Sequence, residues 1–283
     1  MKDSTKFDNS YQDWTRESGN LPIRMTNDYL FKSVNQEDPV ALKSLICAIL
    51  HRDSDQILSV EVLNPILLGR AVDEKEYILD VKVDLNNEIG IDLEMQVINY
   101  GDWPERSLQY LCRTYDSLQR GEDYIKTKTA INISIIDFRI FKDDISLLDS
   151  YRLMNVKSHR VYTEKFQLYT LCLPKADEPD DEDIMFHTNT WAKFFKAETW
   201  EDLKMLAKED EGVASAIATS YRLWADDDVR ERTLAREDYY RRVRTEQIRL
   251  QMAQQAAREA EEEAKAFREE AKTAQEEAKA AQE

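Results

Sequence analysis

The stretch Tyr77–Val97, YILDVKVDLNNEIGIDLEMQV, reads as two β-strands joined by a turn. The segment NNEIG has the Asn and Gly that hairpin loops favour. Pairing centred on Asn87 sets Asp80 opposite Glu94, Lys82 opposite Asp92 and Asp84 opposite Gly90. Side chains alternate between the faces of a strand. Leu79, Val81, Val83, Ile91, Leu93, Met95 and Val97 therefore line a core face, and Asp80, Lys82, Asp84, Asp92, Glu94 and Gln96 line the other. Directly opposed like charges destabilise a sheet, so Asp80 and Glu94 need water, a proton or a cation between them. A hard divalent cation suits two carboxylates and keeps waters for a phosphate. Gln96, one pleat beyond Glu94, can orient such a water or a phosphate oxygen by hydrogen bonds. An ordinary exposed hairpin shows the same alternation, with Lys82–Asp92 a routine cross-strand pair, so the pattern alone leaves both readings open.

The rest of the chain narrows the choice. Its 283 residues suffice for one large domain or two small ones, and 42% hydrophobic residues with 13 Tyr, 9 Phe and 5 Trp supply a core. No run approaches the roughly 20 apolar residues of a membrane helix. The polar start MKDSTKFDNSYQDW has no signal-peptide core, so a cytoplasmic protein with no membrane partner is expected. Cys47, Cys112 and Cys172 are far apart, each among apolar residues, which predicts buried free thiols. His51, His159 and His187 have no zinc-ligand spacing. A net charge of −17 argues against a non-specific polyanion binder. It leaves room for an enzyme with a local basic stripe beside an acidic metal site, binding weakly and salt-sensitively without the metal.

Residues 1–20 read as a loose segment, 21–175 as an α/β core, 176–227 as a helical appendage and 228–283 as a charged helical tail. Thr26 or Asn27 caps a first helix, NDYLFKSVN, and Asp38-Pro39 starts a second. Residues 57–63, 130–138 and 166–172 read as strands. Between them, Asp102, Pro104 and Glu105 predict a capping box opening a helix that ends at Gly121, with an apolar stripe of Leu108, Leu111, Cys112, Tyr115 and Leu118. In the tail EEAK recurs at 262–265, 269–272 and 276–279. The seam there is nearly all Ala, so a solvated helix or a linker to a partner helix is favoured over a strong coiled coil, and a homodimer remains open.

The pattern D-x(13)-E-x-Q from Asp80 to Gln96 resembles the PD-(D/E)XK nuclease superfamily, and more closely its recombination-promoting nuclease (Rpn), transposase-like family. NDYLFKSV, LDVKVDL, IDLEMQV, ERSLQYLCRTYDSL and GEDYIKTKTAINISIIDF carry the likeness in order, over roughly residues 25–225. The resemblance implies a restriction-endonuclease-like mixed sheet flanked by helices and a metal-dependent DNA endonuclease. It implies Asp80 and Glu94 as ligands of Mg²⁺ or Mn²⁺, and the Met95 carbonyl as a third. Gln96 stands where the superfamily has Lys, which leaves water activation to the metal. Asp28 matches a place where such enzymes often have a further, helical acid, and it equally suits a first-turn acid. Arg106, Tyr110 and Arg113 share a helix side: Arg106 and Tyr110 are candidate DNA contacts, and Arg106 can equally pair with the acids. Lys82 can hold a phosphate or neutralise Asp92. The rival function is a nuclease-fold binding module that grips nucleic acid or protein without cutting.

Overall fold

The structure, a computed structural model, describes residues 14–63, 81–116, 123–142 and 146–280, with the backbone alone for 275–280. It divides into two units, Met1–Arg236 and Glu237–Glu283. Among the described residues of the first unit, six strands form one sheet in the order β1-β2-β3-β4-β6-β5. β1 (Val60–Val62), β2 (Val81–Leu85) and β3 (Ile89–Gln96) form an antiparallel meander. β3, β4 (Thr129–Ile136) and β6 (Phe166–Cys172) run parallel, and β5 (Leu148–Arg152) closes one edge antiparallel to β6.

The hairpin register is the one the sequence predicts where it is described: Lys82 pairs with Asp92 and Asp84 with Gly90. The turn differs in detail. Asn86 and Asn87 take φ of 55° and 59°, and Glu88 N–H donates to the Leu85 carbonyl at 3.1 Å. Asn tolerates the left-handed region that such a turn demands. Gly90 is not a turn residue. It lies in β3, where a Cβ would sit 3.2 Å from Thr114 Cγ2. Its missing side chain admits the helix α3 (Trp103–Tyr115) against the strand.

That helix connects the parallel strands β3 and β4, and such a crossover packs on one face of the sheet. It covers Gly90, Asp92 and Glu94. The other face carries Val81, Val83, Ile91, Leu93, Met95, Ile131, Ile133 and Ile135, all buried. The helices packed there are α1 (Asp28–Glu37) and α2 (Pro39–Leu50). Their caps form as expected: Asn27 accepts from Leu30 N–H, and Asp38 accepts from Val40 and Ala41 N–H. The predicted capping box of α3 does not form, because no side chain of Asp102 closes on the helix; the Asp102 carbonyl takes Arg106 N–H. The apolar stripe also shifts. Trp103, Ser107 and Leu111 are buried, whereas Leu108 and Cys112 are exposed, so Cys112 is no buried thiol. α3 ends at Tyr115, and Leu118 and Gly121 lie outside the described residues. β1 is shorter than the 57–63 stretch, and β5 has no counterpart in the sequence reading.

α4 (Asp181–Met185), α5 (Thr188–Lys196), α6 (Trp200–Leu206) and α7 (Glu211–Ala225) follow. α7 lies along α1 and α2, and Phe31 of α1 meets Phe195 of α5 edge-on at 5.9 Å. The polar helix α8 (Asp227–Ala280) begins inside the first unit, where Val229 and Thr233 are buried. In the second unit the described seam positions Ala264, Phe267, Ala271 and Ala274 are exposed. Among the described residues no helix is long and apolar enough to cross a membrane.

The close approach of α7 to α2 depends on Gly212, since a Cβ there would lie 2.1 Å from Ser44 Cβ. Gly212→Ala is expected to destabilise the protein by about 1–3 kcal/mol through overpacking. Thermal melting measures it, and an unchanged midpoint would show that the two helices separate freely.

Candidate active site

β3 is buried on both faces, which an exposed hairpin would not be. Asp92 is 2% and Glu94 6% exposed. The sheet continues their polar row: Asp92 pairs in register with Asn132, Glu94 with Ser134, and Ser134 with Thr170. Asn132, Ser134 and Thr170 are buried as well. Ser134 Oγ donates to Asn132 Oδ1 at 2.8 Å. Sequence reasoning missed these three residues. The signal was the period-two recurrence of Asn132 and Ser134 inside an otherwise apolar strand, AINISII.

Arg106 closes this floor from α3. Its Nη2 donates to Glu94 Oε1 at 2.8 Å and its Nε to the Tyr110 hydroxyl at 2.9 Å. The guanidinium lies 5.5 Å from the ring centroids of both Trp103 and Tyr110. Burial opposes the Arg106 charge, but the Glu94 carboxylate and the Tyr110 hydroxyl outweigh it and hold its pKa above the ordinary arginine value. Burial also pushes the Tyr110 hydroxyl up, and the Glu94 charge adds to that rise. Arg113 stacks on the same Tyr110 ring at 5.8 Å. Of the two uses open to Arg106, pairing with an acid is the one this geometry displays.

The remaining sequence candidates fall around this group. Gln96 is half-buried at the end of β3, and its Nε2 donates to the Ile98 carbonyl at 2.8 Å. Lys82 is exposed on β2, in register with Asp92. Asp84 forms an ion pair with Lys128. Asp28 is engaged elsewhere: Arg236 Nε donates to both of its oxygens at 2.8 Å, and Nη2 reaches Oδ2 at 2.5 Å. Such a bidentate pair, with side chains 7% and 14% exposed, ties the start of α8 to α1. Asp80 lies outside the described residues.

Among the described residues no group of three or more His, Cys, Asp or Glu side chains gathers to hold a metal ion. The donor chemistry still fits a hard cation. Asp92 and Glu94 are carboxylates two residues apart on one strand face, their row continues in oxygen-bearing side chains, and neither His nor Cys stands in it. One or two carboxylates with water are the usual complement of Mg²⁺.

Because the Glu94 charge raises the Tyr110 pKa, Glu94→Gln is expected to lower it toward the ordinary tyrosine value. The phenolate absorbance titration of Glu94→Gln, with Glu94→Gln/Tyr110→Phe subtracted, against that of wild type with Tyr110→Phe subtracted, isolates this hydroxyl. Coincident midpoints would show that Glu94 carries no charge beside it.

Residues 25–249 match the family model described as PD-(D/E)XK nuclease family transposase. No curated protein and no solved structure matches the chain. The match runs through both flanking helices, the hairpin and the site, and nucleases of this kind generally use divalent metals. A mixed sheet with the acidic row on its central hairpin strand, under the helix that follows, agrees with it, and the chain belongs to the PD-(D/E)XK nuclease family transposases.

Proposed function

We propose that the protein is a metal-dependent endonuclease that hydrolyses phosphodiester bonds in DNA. The observation that carries this reading is the burial of Glu94 on β3 beside Arg106, with Asp92 on the same face. Burying a carboxylate on a sheet row costs desolvation energy even when it is paired, and such buried charges cluster at functional sites. Asp80, the residue before β2, together with Glu94 and the Met95 carbonyl, would hold Mg²⁺ or Mn²⁺. The ion would supply Lewis-acid charge for the phosphate and a water acidic enough to attack it.

The chain's own residues do the positioning. Arg106 fixes the orientation of Glu94 through one oxygen, and Tyr110 fixes Arg106 in turn. The Arg106 guanidinium has five donors, which allow it to serve carboxylate and phosphate together. Gln96 is neutral and its amide is held by Ile98, so it can orient a water or a phosphate oxygen but cannot take a proton near neutral pH. "Transposase" describes lineage on this reading, and cleavage is the chemistry that the residues support.

One observation favours the rival, a binding module that does not cut: Arg106 already neutralises Glu94, the acid a metal would need. Plasmid nicking separates the two. With Mg²⁺ or Mn²⁺ at low salt, wild type is expected to nick supercoiled DNA. EDTA, Asp80→Ala and Glu94→Ala should each reduce the rate roughly a hundredfold or more. Cutting that survives both substitutions would place the chemistry elsewhere, and no cutting with either metal would favour the binding module.

A further inference from the structure

Beside the acidic row, a cavity of about 290 Å³ opens between α3 and the β5–β6 edge of the sheet. Leu108 and Leu111 of α3, Phe141 after β4, Tyr151 of β5, and Leu168 and Thr170 of β6 line it. Leu108, Phe141 and Tyr151 are 49%, 46% and 40% exposed, an apolar patch of the kind that marks a binding site. One polar group interrupts it. Thr170 is 3% exposed, and its Oγ1 has no hydrogen-bond partner among the described residues. A buried polar group left unsatisfied is destabilising, so the cavity suits an apolar body that brings its own polar edge.

The position of the cavity says which body. Thr170 is in register with Ser134, and Ser134 with Glu94. Two strand spacings of about 4.8 Å each put the cavity roughly 10 Å from the candidate acid. Arg139 and Lys142 are exposed on either side of Phe141 in a strongly acidic protein, whereas the Arg152 guanidinium is engaged by Tyr169, stacking on its ring at 4.8 Å and donating to its hydroxyl at 2.6 Å. An alkyl chain would satisfy the walls but not Thr170 or the cations, and a sugar would waste the aromatic walls. A nucleobase has π-faces for Phe141 and Tyr151, in-plane acceptors for the Thr170 hydroxyl, and phosphates for the cations on either side of Phe141.

We propose that this cavity receives the base of a nucleotide adjacent to the cleaved phosphate, so that the substrate is single-stranded or locally unstacked DNA. A base inside a duplex stack cannot enter it. This inference rests on the nuclease reading for its substrate, and one set of variants tests the two separately. Leu108→Trp fills the cavity from an exposed position, and Phe141→Ala removes a stacking wall; retained thermal midpoints check that both fold. Anisotropy of a fluorescein-labelled thymidine oligonucleotide, in Ca²⁺, measures single-strand affinity, and the same oligonucleotide annealed to its complement measures duplex affinity. Both variants should bind the single strand roughly 5- to 100-fold more weakly than wild type, the size of one lost base stack, with a smaller change on duplex. Wild-type-like single-strand affinity in both variants, or no single-strand binding by wild type, overturns the base pocket and assigns the cavity to an apolar occupant of another kind. Such a result beside intact Mg²⁺-dependent nicking leaves the nuclease reading standing. Variant-sensitive single-strand binding beside absent nicking supports the pocket and sinks the nuclease reading instead.

Discussion

The pairing of Glu94 with Arg106 is the contact around which this molecule is arranged. Placing a carboxylate on a central strand, 6% exposed beneath a helix, carries a desolvation penalty on the order of several kcal/mol. That penalty is offset only if a cation approaches from the covering helix in good geometry. Arg106 does so from the first turn of α3. Its position there follows from the crossover between two parallel strands and from Gly90, which lets Thr114 settle against β3. The ring planes of Trp103 and Tyr110 shelter the guanidinium. The same packing that buries the acid thus fixes its orientation.

The pairing also fixes the charge state of the cation beside the acidic row in a protein of net charge −17. Arg106 is held at high pKa by Glu94 and remains protonated under any physiological condition. Screening by salt acts weakly on a pair that is partly out of water. The Arg106 charge is therefore fixed in place, and the Glu94 carboxylate at 2.8 Å offsets it, so the pair by itself adds no net positive charge to the site.

The two faces of the sheet divide the labour. Ile131, Ile133 and Ile135 form a dry floor for α1 and α2, and the facing row of Asp92, Glu94, Asn132, Ser134 and Thr170 is polar and covered by α3 and the apolar cavity. α8 contributes to the stability of the first unit through Val229, Thr233 and the Arg236–Asp28 pair. The boundary at residue 228 expected from composition falls at the start of α8, whose first turns still belong to the first unit. Composition registers the loss of apolar residues. It does not register that the first turns of α8 still bury theirs.

The sequence by itself determined the hairpin, its register, its core face, both N-terminal helices with their caps, and the strand at 166–172. Each depends on near neighbours or on alternation along one strand, which are physical properties of the local chain. It also singled out Glu94, Arg106 and Tyr110, and left pairing of Arg106 with the acids as one of two uses open to it. Only the tertiary structure decided that β3 is covered on both faces, since burial depends on which helix crosses over it. The same holds for the choice of Arg106 for an acid, the engagement of Asp28 by Arg236, the exposure of Leu108 and Cys112, and the edge strand β5, whose mixed pattern has no periodic signal of its own. Those facts depend on residues distant in sequence meeting across the sheet, and no period or spacing within one segment carries that information.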